Sequence, residues 1–225
     1  MSLIVKICGL STPETLDVAL EEGADMVGFV FFPPSPRNVP FNAARELSAL
    51  VRARARKVAL TVDADDATFE AIVKSLRPDL LQLHGRETPA RIAALKKRFG
   101  LPVMKAIAVE AKADLAAVTD YAGIADWLLF DAKAPREATR PGGLGRAFDW
   151  TLLTGIAAGV PFMLSGGLDA GNVGEALRIT RAPAVDVSSG VERAPGEKDP
   201  DKIRAFVRAA RSAERLAQKA VASPA

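Results

Sequence analysis

Short apolar runs recur along the chain every few tens of residues, at 3–7, 26–31, 57–62, 80–84, 103–108, 127–131, 162–165 and 184–188. Each is the length of a strand rather than of a helix. Between them lie segments with helical periodicity or helix punctuation, at 13–22, 41–52, 67–75, 89–99, 113–121, 149–158, 170–178 and 200–219. Thr12-Pro13 and Thr88-Pro89 each place a hydroxyl N-cap before a proline at the first helical position, where no amide hydrogen is missed. Gly23 and Gly100 stand where C-cap glycines belong. Strict alternation of strand and helix predicts a parallel sheet. Eight such units without a break in composition predict closure into a single (β/α)8 TIM barrel over residues 1–210, with 211–225 as a helical extension or frayed tail. An open doubly wound sheet would want a glycine-rich turn after the first strand, and Cys8-Gly9-Leu10-Ser11 holds a single glycine.

Strands covered on both faces should be almost continuously apolar, yet here polar residues recur with period two. Lys6 and Cys8 oppose Val5 and Ile7, Gln82 and His84 oppose Leu81 and Leu83, and Asp186 and Ser188 oppose Val185 and Val187. Thr61, Asp63, Lys105, Asp131 and Ser165 are read onto equivalent faces of their own strands. This pattern predicts an apolar face toward the helices and a polar one toward the barrel axis. Cys8, Asp63, His84, Asp131, Ser165 and Ser188 then fall near the carboxyl ends, where barrel enzymes carry their sites. Each has a plainer reading. Lys6, Lys105 and Asp186 form a charge-paired layer beneath a site, Cys8 is a small buried hydrophobe, His84 a hydrogen-bonded structural residue, and Asp131 a brace for the loop it opens.

Composition narrows the chemistry. The chain has 225 residues, 49% hydrophobic, with 30 basic against 27 acidic side chains and a net charge of +3. That balance gives no reason to expect nucleic acid, and its small positive excess favours an anionic small molecule. One Cys and one His build neither a disulfide framework nor a zinc site, so metal-free chemistry is expected. No stretch has the length of a membrane span, the first ten residues do not read as a signal peptide, and the free thiol fits the cytoplasm.

Two loops offer anion grips. Ser165-Gly166-Gly167 follows the seventh strand and Ser188-Ser189-Gly190 the eighth, so backbone N–H and hydroxyl donors collect at one rim, the usual phosphate seat of this fold. Arg37, in a loop stiffened by Pro33, Pro34 and Pro36, suits a carboxylate; an exposed, solvated side chain is the other reading. At about 28 residues per unit the chain is short for such a barrel, typically ~250 residues, so spare length is informative. It collects in two places, the terminal tail and 132–148, where Gly142-Gly143-Leu144-Gly145 reads as a mobile lid.

Taken in order, Lys6-Ile7-Cys8-Gly9-Leu10, Gly28-Phe29-Val30-Phe31 with Ser35-Pro36-Arg37, Leu81-Gln82-Leu83-His84-Gly85, Leu128-Leu129-Phe130-Asp131, Gly143-Leu144-Gly145 with Phe148-Asp149-Trp150, Leu164-Ser165-Gly166-Gly167-Leu168 and Asp186-Val187-Ser188-Ser189-Gly190-Val191-Glu192 resemble the phosphoribosylanthranilate isomerases of tryptophan biosynthesis. The likeness runs from Leu3 to about Arg208. It implies an Amadori rearrangement of N-(5-phosphoribosyl)anthranilate without metal or cofactor, with Cys8 as general base and Asp131 as general acid. It further implies Arg37 on the substrate carboxylate, backbone donors of Gly166, Gly167, Ser188, Ser189 and Gly190 on the phosphate, and His84 among the substrate-binding residues. The site would then have to push the two proton-transfer groups in opposite directions, Asp131 up and Cys8 down. The partner is a small phosphorylated anthranilate, with neither nucleic acid nor membrane, and the chain is a monomer or homodimer. Two alternatives stand beside this reading. One is a histidine-pathway type of phosphosugar isomerase, for which Gly85-Arg86-Glu87 is a poor second phosphate grip; the other is a barrel that binds a phosphate ligand without turnover.

Overall fold

The computed structural model describes residues 2–135 and 137–222, the last three of these by backbone alone. Eight parallel strands close on themselves in chain order: β1 (Ile4–Cys8), β2 (Met26–Phe31), β3 (Arg56–Thr61), β4 (Leu80–Leu83), β5 (Val103–Val109), β6 (Trp127–Ala132), β7 (Phe162–Leu164) and β8 (Ala184–Val187). β8 returns to pair with β1, setting Ile4 beside Ala184 and Lys6 beside Asp186. Helices α1 (Pro13–Glu21), α2 (Phe41–Val51), α3 (Asp66–Leu76), α4 (Pro89–Phe99), α5 (Ala117–Tyr121), α6 (Val173–Thr180) and α7 (Pro200–Ala222) lie outside. Thr12 and Thr88 cap α1 and α4 as the sequence predicts, each accepting from the backbone amide three residues on.

The two strand faces separate two apolar cores. Outward residues such as Val5, Ile7, Val27, Phe29, Leu81, Leu83, Leu128, Phe130 and Val185 pack against the helices. Inward, Met26, Val58, Leu80, Met104, Leu129, Met163 and Ala184 fill the lower barrel as a second, smaller core. The interior therefore grades from apolar at the amino ends of the strands to polar at their carboxyl ends, where the site lies.

Three of the polar residues read onto the inner face are elsewhere. On β3 it is Val58, Leu60 and Val62 that point inward, so Thr61 pairs beside outward Leu83 and Asp63 turns away into the loop. Lys105 is also outward. Its ammonium lies 3.0 Å from a Glu87 carboxylate oxygen and 2.5 Å from the Gly85 carbonyl, between barrel and helices. A buried, paired lysine satisfies the outer face as well as an apolar residue does, so polarity alone does not assign the side.

The helical reading fails mainly in the sixth unit. Residues 149–158 hold one 3-10 turn, Trp150–Leu153, capped by the Asp149 carboxylate, which accepts from the Thr151 amide at 3.0 Å. Gly155 and Gly159 then adopt left-handed backbone and stop any propagation. The predicted segment 113–121 divides into a 3-10 stretch, Lys112–Ala116, and the short α5. The helix read at 170–178 begins later, at Val173, because the Asp169 carboxylate ties down the amides of Gly171 and Asn172. A small antiparallel hairpin that the pattern does not announce, β9 (Glu192–Ala194) and β10 (Glu197–Lys198), precedes α7. Helix α7 continues from the barrel into the predicted tail as far as Ala222, and the final three positions lie outside the described residues. Arg211 anchors that continuation on the Asp25 carboxylate at 2.7 Å.

Candidate active site

At the carboxyl ends of the strands a cleft of about 800 Å³, part of it open to solvent, is lined by Cys8, Arg37, His84, Asp131, Gly166, Gly167, Ser188 and Ser189. The topology brings together side chains from loops and strands spread across the whole chain. Gly190 stands just behind the rim, pressed against the Leu168 carbonyl with no room for a Cβ.

Cys8 ends β1 and is buried. It pairs in register with Gly28 of β2, and a Cβ on Gly28 would lie 2.8 Å from the thiol sulfur, so the missing side chain makes the space that the thiol occupies. Lys6 lies below, its ammonium 2.8 Å from the Asp186 carboxylate, and Ser165 donates to the other oxygen of that carboxylate at 3.4 Å. Burial pushes the Cys8 thiol above its ordinary range; the Lys6 charge opposes this but does not win, and Asp186 adds to the rise. The expectation of a lowered Cys8 is thus not met: burial raises it. Lys6 is held charged, because the attraction of Asp186 and Cys8 outweighs its desolvation.

Across the cavity Asp131 ends β6. Its Oδ2 lies 3.2 Å from Nε2 of His84, and the other ring nitrogen of His84 lies 3.2 Å from the side-chain nitrogen of Gln82. Asp131 Oδ1 accepts from the amide of Ala132 at 2.9 Å. The loop from 132 to 148 comes down on this pair. A Cβ on Gly142 would sit 2.5 Å from Asp131 Oδ2 and 2.8 Å from His84 Nε2, so only glycine admits so close a cover. Lys133, Arg140 and Arg146 of the same loop also line the cleft and add positive charge above it.

Arg37 is buried rather than solvated. Its Nε and Nη2 each donate to Glu192 at 2.7 Å, and Nη2 donates again to the Gly143 carbonyl at 3.1 Å. At the opposite rim Gly166 and Gly167 both take left-handed backbone and lie against Ala132 and the Arg146–Ala147 peptide. A side chain there would be strained and crowded. The rim after β7 thus carries no side chains over its backbone, whereas its counterpart after β4 is closed by a carboxylate: Glu87 accepts from the Gly85 amide at 3.0 Å and from the Asp63 amide at 2.9 Å.

Gly28, Gln82, Glu192 and Lys198 are the site residues to which the sequence gives no role. A lone glycine inside an apolar strand is the signal for Gly28, since such a position often marks a close approach. Lys198 offers no local signal, because its contacts are made through the hairpin.

A closed eight-stranded parallel barrel with a thiol, a carboxylate–histidine pair, a buried arginine and a glycine–serine rim around one cleft at its carboxyl-terminal mouth has the architecture of a barrel enzyme. Residues 5–209 match the family model described as N-(5'phosphoribosyl)anthranilate (PRA) isomerase. A relative from Bradyrhizobium sp. (strain ORS 278), an N-(5'-phosphoribosyl)anthranilate isomerase, is 69% identical over 96% of this chain and 99% of its own. The phosphoribosyl anthranilate isomerase of Thermotoga maritima superposes with a TM-score of 0.84 at 34% identity, covering 93% of this chain and 99% of that one. A further phosphoribosyl anthranilate isomerase, solved in complex with reduced 1-(o-carboxyphenylamino)-1-deoxyribulose 5-phosphate, gives 0.81 at 32% identity with the same coverage. The chain belongs to the N-(5'-phosphoribosyl)anthranilate isomerase family, and it is an isomerase.

Proposed function

We propose that this protein converts N-(5-phospho-β-D-ribosyl)anthranilate into 1-(2-carboxyphenylamino)-1-deoxy-D-ribulose 5-phosphate in tryptophan biosynthesis, with Asp131 as general acid and Cys8 as general base. The observation that carries the reading is the placement of the thiol and the carboxylate on β1 and β6, lining one cleft between Arg37 and the Gly166–Ser189 rim. Arg37 takes the anthranilate carboxylate through its Nη1 edge, which Glu192 leaves uncovered. The phosphate lies on the Gly166, Gly167, Ser188 and Ser189 donors, with Gly190 shaping the turn.

A proton on Asp131 passes to the furanose ring oxygen. The C1′–O bond breaks, and the nitrogen lone pair closes the C1′–N iminium. Cys8 as thiolate then removes the proton from C2′; the C–H electrons form the C1′–C2′ double bond, nitrogen is neutralised, and the enolamine tautomerises to product. Burial favours the protonated Cys8 thiol. Ring opening places a cationic iminium beside it, and that charge adds to Lys6 in favouring the thiolate when it is needed. His84 holds Asp131 and bounds the substrate on the same side.

A histidine-pathway type of isomerase, whose substrate carries phosphates at both ends, is disfavoured because Glu87 already occupies the Gly85 amide where a second phosphate would sit. A barrel that binds without turnover predicts ligand affinity but no reaction. The deciding experiment supplies phosphoribosylanthranilate and follows its fluorescence; decay at an enzymatic rate supports the proposal, and binding without decay overturns it. The cytoplasm is the proposed compartment, on the strength of the free thiol.

A further inference from the structure

The β9–β10 hairpin carries two buried charges directed at the site from beneath. Glu192 and Lys198 are register partners across it, and their side chains are 4% and 1% exposed. Glu192 holds the Arg37 fork with two contacts of 2.7 Å. Lys198 donates to Glu192 at 2.8 Å and, in the other direction, to the Ser188 carbonyl at 2.8 Å and the Ser188 hydroxyl at 3.3 Å. At the hairpin turn Gly196 lies against the Pro36 carbonyl, where a Cβ would come within 2.6 Å, so the hairpin also grips the loop that bears Arg37. One lysine thus joins the residue assigned to the carboxylate with the residue assigned to the phosphate.

We propose that Lys198 and Glu192 are positioning residues that set the distance between the Arg37 guanidinium and the Ser188 rim, so that a single substrate with an anion at each end spans both. The proposal rests on the assignment of those two grips made above. Its signature is that a ligand touching both ends feels the spacing and a ligand touching one end does not. Glu192 still holds Arg37 when Lys198 is lost, so each grip survives separately while their separation is released.

Lys198→Met is compared with the parent enzyme for phosphoribosylanthranilate turnover and for inhibition by anthranilate alone and by inorganic phosphate alone. The expected result is a rise in KM of about tenfold or more, kcat within about threefold, and both inhibition constants within about twofold. Should the methionine variant fail to fold, Lys198→Gln, which reaches only one end of the Ser188–Glu192 bridge, is read instead: KM rises with both inhibition constants unchanged, and an unchanged KM overturns the proposal. An unchanged KM overturns the proposal. So does a parallel rise of KM and both inhibition constants, which would mean general loosening of the site. Arg37→Ala, run beside them, separates the levels: if anthranilate inhibition is unaffected there, the carboxylate assignment itself falls; if it weakens while Lys198→Met leaves KM alone, only the positioning role falls.

Discussion

The side-chain nitrogen of Gln82 lies 3.2 Å from Nδ1 of His84, while the side-chain oxygen of Gln82 is buried without a partner among the described residues. With the Gln82 amide placed this way its nitrogen donates, so His84 Nδ1 accepts, the ring proton sits on Nε2, and Nε2 donates to Asp131; the opposite amide orientation would reverse the ring. A protonated Asp131 would reverse this chain, moving the ring proton to Nδ1, where the unpartnered Gln82 oxygen could receive it after the amide turns over. His84 is the only histidine, so its nitrogen resonances are unambiguous. At pH 8.5 the empty enzyme should show the Nε2–H tautomer, and Gln82→Met should mix the two tautomers, as read by 15N NMR. The same variant removes a buried unpaired oxygen worth about 1–3 kcal/mol. Its Tm should be equal or higher while kcat falls; a lower Tm with unchanged kcat would make Gln82 merely structural.

Cys8→Ala and Asp131→Asn should each lower kcat by about 10²–10⁴-fold or more with circular dichroism unchanged. Turnover near the parent value in either variant would remove that residue from the mechanism.

The raised Cys8 thiol fixes the sign of the pH response. A base must be deprotonated, so kcat/KM should climb with pH into the alkaline range rather than level off near neutrality. Lys6→Met removes the charge that opposes burial and leaves Asp186, which pushes the thiol higher still, so the limb should move to higher pH. Breaking the buried Lys6–Asp186 pair also costs about 3–5 kcal/mol, and Lys6→Met with Asp186→Asn should recover part of it. A pH profile that does not move would exclude Lys6 from tuning Cys8.

The same shift makes a stability prediction. A group whose folded pKa lies above its unfolded value of ~8.5 contributes stability that is present below that pH and is lost as pH rises through the folded value, because the unfolded chain gives up its proton first. Urea unfolding should therefore show declining stability above pH ~8.5, with a shallower decline in Cys8→Ala.

Arg37→Ala should act chiefly through KM, and Gly28→Ala should damage turnover by displacing the thiol, since its Cβ would lie 2.8 Å from sulfur. Equal activity in Gly28→Ala would show that the strand pair yields without moving Cys8.

The barrel was legible because eight apolar runs with period-two polarity have few other folds open to them, and Cys8, His84 and Asp131 stood at the ends of such runs. Polarity does not say which way a strand faces, however. Lys105 finds Glu87 on the outside and Thr61 follows the outward register of β3, so both were read inward from a pattern that either side could satisfy. The sixth helix failed where glycines in left-handed backbone overrode a well-formed N-cap. Glu192 and Lys198 escaped because their partners, Arg37 and Ser188, are brought to them by barrel closure and a two-strand hairpin, neither of which leaves a local trace.

The connection from β6 to β7 does two jobs with one piece of chain. It lays Gly142 and Gly143 over Asp131 and Arg37, and then, through Phe148, Trp150 and Leu153, it closes the outer wall where the other units use a regular helix. Cover and wall cannot loosen separately, and this wall is braced by a single 3-10 turn. On heating, catalysis should fail before the barrel does, with activity lost several degrees below the Tm of the remaining fold.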